Sequence, residues 1–305
     1  MGTELARLAV GLRSLSRWYP TIRGTGFLSS ILDSLSRGFR SRHPESEPVW
    51  AVAAPGDWNP ALSLNLNHPF QRNFYYFTPA FGRHYLANGG GFVLDRFLRP
   101  GGTFLDIGAN LGFFAFLAAQ RVGSAGQVYA FEPEPSAFAS LSQSALLVDH
   151  RMVRCRQLAL AEKPATATRF HLAYSGNAHS LVAEVPERRD RYSSLIQVAV
   201  ESIDHLVDAG TLPAEQVNLI KIDVEGGEPG VVSGMVQALR VWRTPPLFIE
   251  VRGPRGSTRA PNTFLRVNEV LEPLGYSAYR INRRSALEPA TVAGVQDRAD
   301  LLFHT

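Results

Sequence analysis

The chain has 305 residues, 45% of them hydrophobic, with 31 basic against 27 acidic side chains and a net charge of +4. That balance suits one large folded domain plus an extension and excludes a disordered polyelectrolyte. The one cysteine, Cys155, excludes an internal disulfide framework and a thiolate metal cluster, and no apolar run has the length of a membrane span.

The N-terminus carries no compact apolar segment followed by a small-residue cleavage site, so the expected compartment is a reducing cytoplasm. Lys163 and Lys221 are the only lysines, and the small, scattered positive excess predicts no nucleic-acid partner. Over residues 4–18, Leu5, Leu8, Leu12 and Leu15 share one helical face, with Arg7, Arg13 and Arg17 off it. Residues 27–39 repeat the pattern with Phe27, Leu28, Ile31, Leu32, Leu35 and Phe39. Two amphipathic helices are expected, packed on the main domain or forming a homodimer contact; peripheral contact with the inner membrane surface is the alternative. Residues 1–48 thus read as a helical extension that ends in a linker around Pro44 and Pro48. Residues 49–90 are rich in aromatics, among them Trp50, Trp58, Phe70 and Phe74, and read as short strands and loops, a candidate lid over an acceptor.

From residue 91 the pattern becomes an alternation of strands and helices. A short helix is predicted over 92–98. Strands follow at 103–107, 127–131, 152–160, 217–222, 247–251 and 276–281, with 301–304 closing the sheet. Helices are predicted over 113–121, 135–148, 229–240 and 262–274. This is the signature of an α/β domain, a doubly wound and mostly parallel sheet with helices on both faces, spanning 91–305. Residues 161–202 interrupt it with β-like material and read as an insertion.

The first motif is FLDIGANLG at 104–112, a buried strand running through a tight turn into a helix. Gly108 and Gly112 permit unusual backbone angles and close approach of a ligand, and the helix N-terminus favours an anionic group. A dinucleotide fingerprint requires G-x-G-x-x-G, which is absent here. A pyrophosphate gains nothing from Asp106, whereas a ligand carrying an ammonium does. The amino-acid end of S-adenosylmethionine carries both an ammonium and a carboxylate. Glu132 ends the second strand, where an acid accepts hydrogen bonds from ribose hydroxyls, or else it merely starts the helix before Pro133.

The second motif is NLIKIDVEGGE at 218–228, with Glu250 at the end of the next strand. Ligands in such sheets bind beyond the carboxyl ends of the strands, so Asp106, Glu132, Asp223 and Glu250 are expected to face one crevice. Two chemistries stay open for the acids. Asp223 and Glu250 have the oxygen ligands that Mg²⁺ prefers, or one carboxylate is a general base, with Asp223 first, then Glu225, Glu250 and the loop residue His179. Glu228 reads as a helix N-terminal acid. Lys221 either pairs with the acids or points outward.

Together these stretches resemble the FkbM family of methyltransferases: FLDIGANLGFFAFLAA (104–119), VYAFEPEPSAFASL (128–141), VESIDHL (200–206), VNLIKIDVEGGEPGVVSG (217–234) and PPLFIEV (245–251). The resemblance implies a class I, Rossmann-like methyltransferase domain that uses S-adenosylmethionine. The acceptor it implies is a hydroxyl of a sugar, a glycan or a polyketide-type natural product. It implies cofactor roles for Asp106, Gly108, Asn110 and Glu132, and a site role for Asp223 and Glu225. It also puts Ala161, in ALAEKPA, beside the adenine, where many relatives carry Ser-Asp and then Glu-Gly. Two rivals remain: a nicotinamide-dependent oxidoreductase, disfavoured by the missing glycine pattern, and a non-catalytic membrane- or partner-binding protein, disfavoured by intact acids at every strand end.

Overall fold

The computed structural model describes residues 50–53, 60–65, 68, 70–71, 74 and 89–305, the last apart from 148–151, 174–179, 182–191, 255–261, 283 and 292. Both expected N-terminal helices, the linker and His179 lie outside the described residues.

Two short strands, β1 (Trp50–Ala53) and β2 (Leu62–Asn65), pair antiparallel. Helix α1 (Gly91–Phe97) precedes the main sheet, which starts with β3 (Thr103–Ile107). Then follow α2 (Phe113–Val122), β4 (Gln127–Phe131), α3 (Pro135–Ala145) and β5 (Val153–Arg156). A second region holds β6 (Ala159–Leu160), β7 (Ala165–Ala173), β8 (Tyr192–Glu201) and α4 (Ile203–Asp208). The chain returns to the main sheet with β9 (Leu219–Ile222), α5 (Glu228–Ser233), α6 (Val236–Val241), β10 (Leu247–Arg252), α7 (Thr263–Leu271), β11 (Ser277–Ile281), β12 (Leu287–Pro289) and β13 (Arg298–His304).

The eight-stranded sheet has the order β12-β11-β13-β10-β9-β3-β4-β5. From β5 to β10 all pairs are parallel, and β13 runs antiparallel between β10 and β11. The chain starts at β3, steps outward to β5, then restarts beside β3 at β9. That reversal is the topological switch point at which such sheets bind ligands. The expected doubly wound α/β fold is the observed one.

Strand residues alternate between two cores. Leu105, Ile107, Tyr129, Phe131, Ile220, Ile222, Leu247 and Ile249 pack with α4 to α7. Phe104, Val128, Ala130, Leu219 and Phe248 pack with α1 to α3 and β2. Helix α3 begins where its chemistry dictates, with Pro135 in the first turn and the Glu134 carboxylate accepting the Ala137 N–H at 2.5 Å.

Five expectations are corrected. The strand expected over 152–160 divides after Arg156: β5 joins the main sheet, whereas β6 pairs with β8 in a separate three-stranded sheet. The helix expected over 229–240 is two short ones. They part around Gly234, where an added Cβ would lie 2.2 Å from the Ala161 carbonyl oxygen, so the backbones touch there. The helix expected over 135–148 stops at Ala145, and that over 262–274 tightens into a 3-10 turn at Glu272–Leu274. The last strand does not close the sheet at its edge but inserts between β10 and β11. Among the described residues no helix is long and apolar enough to cross a membrane.

Candidate functional site

A cavity of about 330 Å³ opens beyond the carboxyl ends of β3, β4, β9 and β10, lined among others by Gly108, Asn110, Glu132, Asp223, Glu225 and Glu250. Its volume is at the small end of ligand pockets.

The turn after β3 is built by close backbone approach. Gly108 has φ 78°, and a Cβ there would sit 1.9 Å from the Asp223 carbonyl oxygen. The turns after β3 and β9 are therefore in direct main-chain contact. Asn110 follows with φ 50°, a left-handed conformation that asparagine tolerates better than most residues. Its N–H donates to Glu132 Oε2 at 2.8 Å, while the Glu134 N–H donates to Glu132 Oε1 at 2.8 Å. Glu132 thus ties the β3 turn to the β4 turn. Only 6% exposed, its carboxyl is pushed up to about 7 by burial, against the opposing effect of the two N–H groups. The Asn110 side-chain oxygen is buried and has no hydrogen-bond partner among the described residues, so the wall holds an open acceptor that fits a ligand bearing a donor.

Asp106 does not share this crevice, contrary to expectation. It is fully buried and absent from the cavity wall. Asp106 lies on the α2 side of the sheet, as Phe104 does, but one residue short of the strand end, and Lys221 beside it in register lines the cavity in its place. Burial raises its carboxyl, and Lys221 opposes that. Gly112 also lies behind the wall, where a Cβ would strike Phe116 at 2.5 Å and Leu141 at 2.7 Å; its role in the fold is packing.

Lys221 stands beside Asp106 in register and points inward. Its Nζ lies 3.5 Å from Asp106 Oδ1, 3.5 Å from Asp223 Oδ2 and 5.3 Å above the Phe114 ring. Of the two readings of this lysine, pairing holds. Asp223 itself has a side chain 26% exposed at the cavity surface.

Asp223, Glu225 and Glu250 bring carboxylate oxygens within 4.8 Å of one another. Two arginines sit among them. Arg298 donates to Glu225 Oε1 at 2.8 Å and pairs through Nε with Glu250, and Arg252 pairs through Nη2 with Glu225. Burial, then Asp223, push the Glu250 carboxyl up, and Arg298 opposes them. Burial likewise raises Glu225 against Arg298. The guanidinium groups supply the positive charge that a divalent ion would otherwise bring to this trio. Glu228, buried in the first turn of α5, accepts the N–H groups of Gly226 at 2.9 Å and Val224 at 3.2 Å and so holds the Glu225 turn from within.

Ala161 lines the cavity together with Leu158, Ala159 and Leu160, and its N–H donates to the Glu201 carbonyl at 2.9 Å. Arg252 and Arg298 were not singled out by sequence. No spacing signal marks Arg298, which reaches the acids only because β13 inserts next to β10.

Residues 106–278, more than half of the chain, match the family described as the methyltransferase FkbM domain. The hexuronic acid methyltransferase AglP of Haloferax volcanii is 27% identical over 136 residues, 44% of this chain and 50% of that protein. The 31-O-demethyl-FK506 methyltransferase FkbM of Streptomyces tacrolimicus is 28% identical over 170 residues, 46% of this chain and 62% of that protein. The chain therefore spans about half to three fifths of the length of these curated relatives. A crystal structure of methyltransferase FkbM from Methylobacillus flagellatus superposes with a TM-score of 0.41 at 16% identity, covering 76% of this chain and 52% of that one.

Proposed function

We infer the reaction from one premise: this chain belongs to the FkbM methyltransferase family. We propose that it transfers the methyl group of S-adenosylmethionine to a hydroxyl of a sugar, a glycan or a polyketide-type natural product. The observation that carries this reading is one cavity with Glu132 at the end of β4 and Asp223 at the end of β9. The names of the two relatives, a hexuronic acid methyltransferase and a 31-O-demethyl-FK506 methyltransferase, support an oxygen-rich acceptor.

S-adenosylmethionine supplies a methyl group on a sulfonium, already activated for attack by an acceptor oxygen. Glu132 would accept hydrogen bonds from the ribose hydroxyls, the Asn110 side-chain oxygen would accept one from the ammonium, and Leu158 to Ala161 would flank the adenine. Asp223 would accept the proton that the acceptor hydroxyl gives up on methylation, with S-adenosylhomocysteine as the other product. Positioning and this proton transfer are the main tasks left to the protein.

Convergence of Asp223, Glu225 and Glu250 favours a second reading, with Mg²⁺ polarising the acceptor. Arginine pairing of Glu225 and Glu250 weighs against it. The test is transfer of labelled methyl from S-adenosylmethionine to a panel of uronic acids, neutral sugars and macrolide alcohols, with and without EDTA. Product that is insensitive to chelation is expected. EDTA-abolished turnover would establish the metal reading, and no transfer to any hydroxyl would overturn the acceptor class.

Glu132 gives a pH signature. In the free protein its carboxyl is neutral below about 7 and ionised above. A carboxylate accepts ribose hydroxyls more strongly than a carboxyl does, so cofactor affinity should rise as pH passes upward through about 7. Glu132→Gln should weaken binding about tenfold to a hundredfold at pH 8, the range for a hydrogen bond to a charged group, and flatten that rise. Titration calorimetry at pH 6 and 8 checks both, the variant serving as control for the ligand's own amine. Equal profiles for the two proteins would remove Glu132 from the cofactor site.

A further inference from the structure

We infer that Phe70 and Phe74 form the wall that selects the acceptor, and that this wall takes a hydroxyl carried beside an apolar ring face. The inference rests on the methyl-transfer reading above, because it seats the acceptor hydroxyl at Asp223. Both phenylalanines line the cavity, and both lie outside residues 106–278 that match the family.

The rings form a continuous run. Phe70 and Phe74 have centroids 6.2 Å apart, Phe74 meets Phe113 edge-on at 6.2 Å, and Phe113 meets Phe114 edge-on at 5.7 Å. Phe114 lies under Lys221 Nζ, which is 3.5 Å from Asp223. An unbroken aromatic surface therefore ends on the cation beside the proposed base. Such a surface rewards an acceptor that lays an apolar ring along it, through burial and ring contacts, and offers little to a ringless polyol.

The wall is held in place by a buried polar clamp. Gln71, 1% exposed between the two phenylalanines, accepts the Asn65 N–H at 2.8 Å and the Ser140 hydroxyl through the same oxygen. Its Nε2 donates to the Ser136 carbonyl and hydroxyl oxygens, both at 3.1 Å. Ser144, four residues beyond Ser140 on α3, accepts the Ser63 N–H at 2.8 Å. Ser136, Ser140 and Ser144 make one stripe on α3 that fastens β2 and Gln71 to the domain. A fully satisfied buried network of this kind sets a single geometry.

The test uses the full chain saturated with S-adenosylhomocysteine and saturation-transfer NMR with three probes: benzyl alcohol, cyclohexylmethanol and glycerol. Ring protons of the first two should saturate and glycerol should not. Phe70→Ala, and Phe74→Leu as the milder change at the buried position, should each lower ring saturation about threefold, an amount in keeping with loss of one ring contact. S-adenosylhomocysteine affinity should stay unchanged in both, which also shows that they fold. Glycerol saturating as well as the ring alcohols, or ring signals untouched by both substitutions, overturns the inference. Failure of the wild-type chain to bind S-adenosylhomocysteine instead sinks the methyl-transfer reading, and this inference with it.

Discussion

Gly108→Ala should abolish cofactor binding and destabilise the domain by several kcal/mol. The new methyl would lie 1.9 Å from the Asp223 carbonyl oxygen and 2.9 Å from its carbonyl carbon. Both are backbone atoms of a neighbouring strand end, so no side-chain rotation relieves the clash. The turn must also hold φ 78° with a Cβ present, which costs about 1–2 kcal/mol. Forcing the two turns apart adds about 1–3 kcal/mol of overpacking. The displaced groups are those on which binding depends: the Ala109 and Asn110 turn on one side, Asp223 on the other. Gly101→Ala is the control, since Gly101 has φ 83° but no atom within 4 Å of an added Cβ, so only the backbone cost applies. Urea unfolding and titration with S-adenosylmethionine measure the pair. A Gly108 variant no worse than the Gly101 variant would show that the two turns separate freely and that their contact does not define the site.

The second large effect is on turnover. Asp223→Asn should lower kcat about 10²- to 10⁴-fold, the usual range for loss of a general base, with cofactor affinity nearly unchanged. Asparagine keeps the shape and removes the proton-accepting charge. The other acids are poor substitutes, because Glu225 is engaged by Arg252 and Arg298 and Glu250 by Arg298. Lys221 Nζ lies 3.5 Å from Asp223 Oδ2 and helps to hold that carboxylate in place at the cavity wall. Single-turnover kinetics beside calorimetry separates the outcomes. Loss of binding together with turnover would make Asp223 a cofactor contact, and full activity would move the base elsewhere.

Legibility differed between features. Strands β3, β4, β9 and β10 show in the sequence as short apolar runs, because a parallel strand covered on both faces is hydrophobic throughout. The ends of β3 and β9 show as well, since Gly108, Asn110 and the Gly226-Gly227 pair follow those runs. Strand β6 was not legible. It follows β5 after only Gln157 and Leu158, with no glycine or proline between them, and the choice of hydrogen-bonding partner, β8 instead of β4, separates the two. The depth of Asp106 is hidden for a related reason: a run of four buried residues does not say which of them reaches the cavity and which stays beneath it.

The sequence by itself determined the fold class, the two motif turns and the set of acids at the strand ends, because these depend on local hydrophobicity, glycine freedom and spacing along one segment. Tertiary structure alone decided what those acids do together. Insertion of β13 beside β10 brought Arg298 to Glu225 and Glu250. Pairing of β3 with β9 set Lys221 between Asp106 and Asp223. Docking of Gln71 on the α3 serines put Phe70 and Phe74 on the cavity wall. Each is a contact between segments far apart in the chain, set by strand order and by the alternation of side chains across the sheet, and neither leaves a mark in any one stretch of residues.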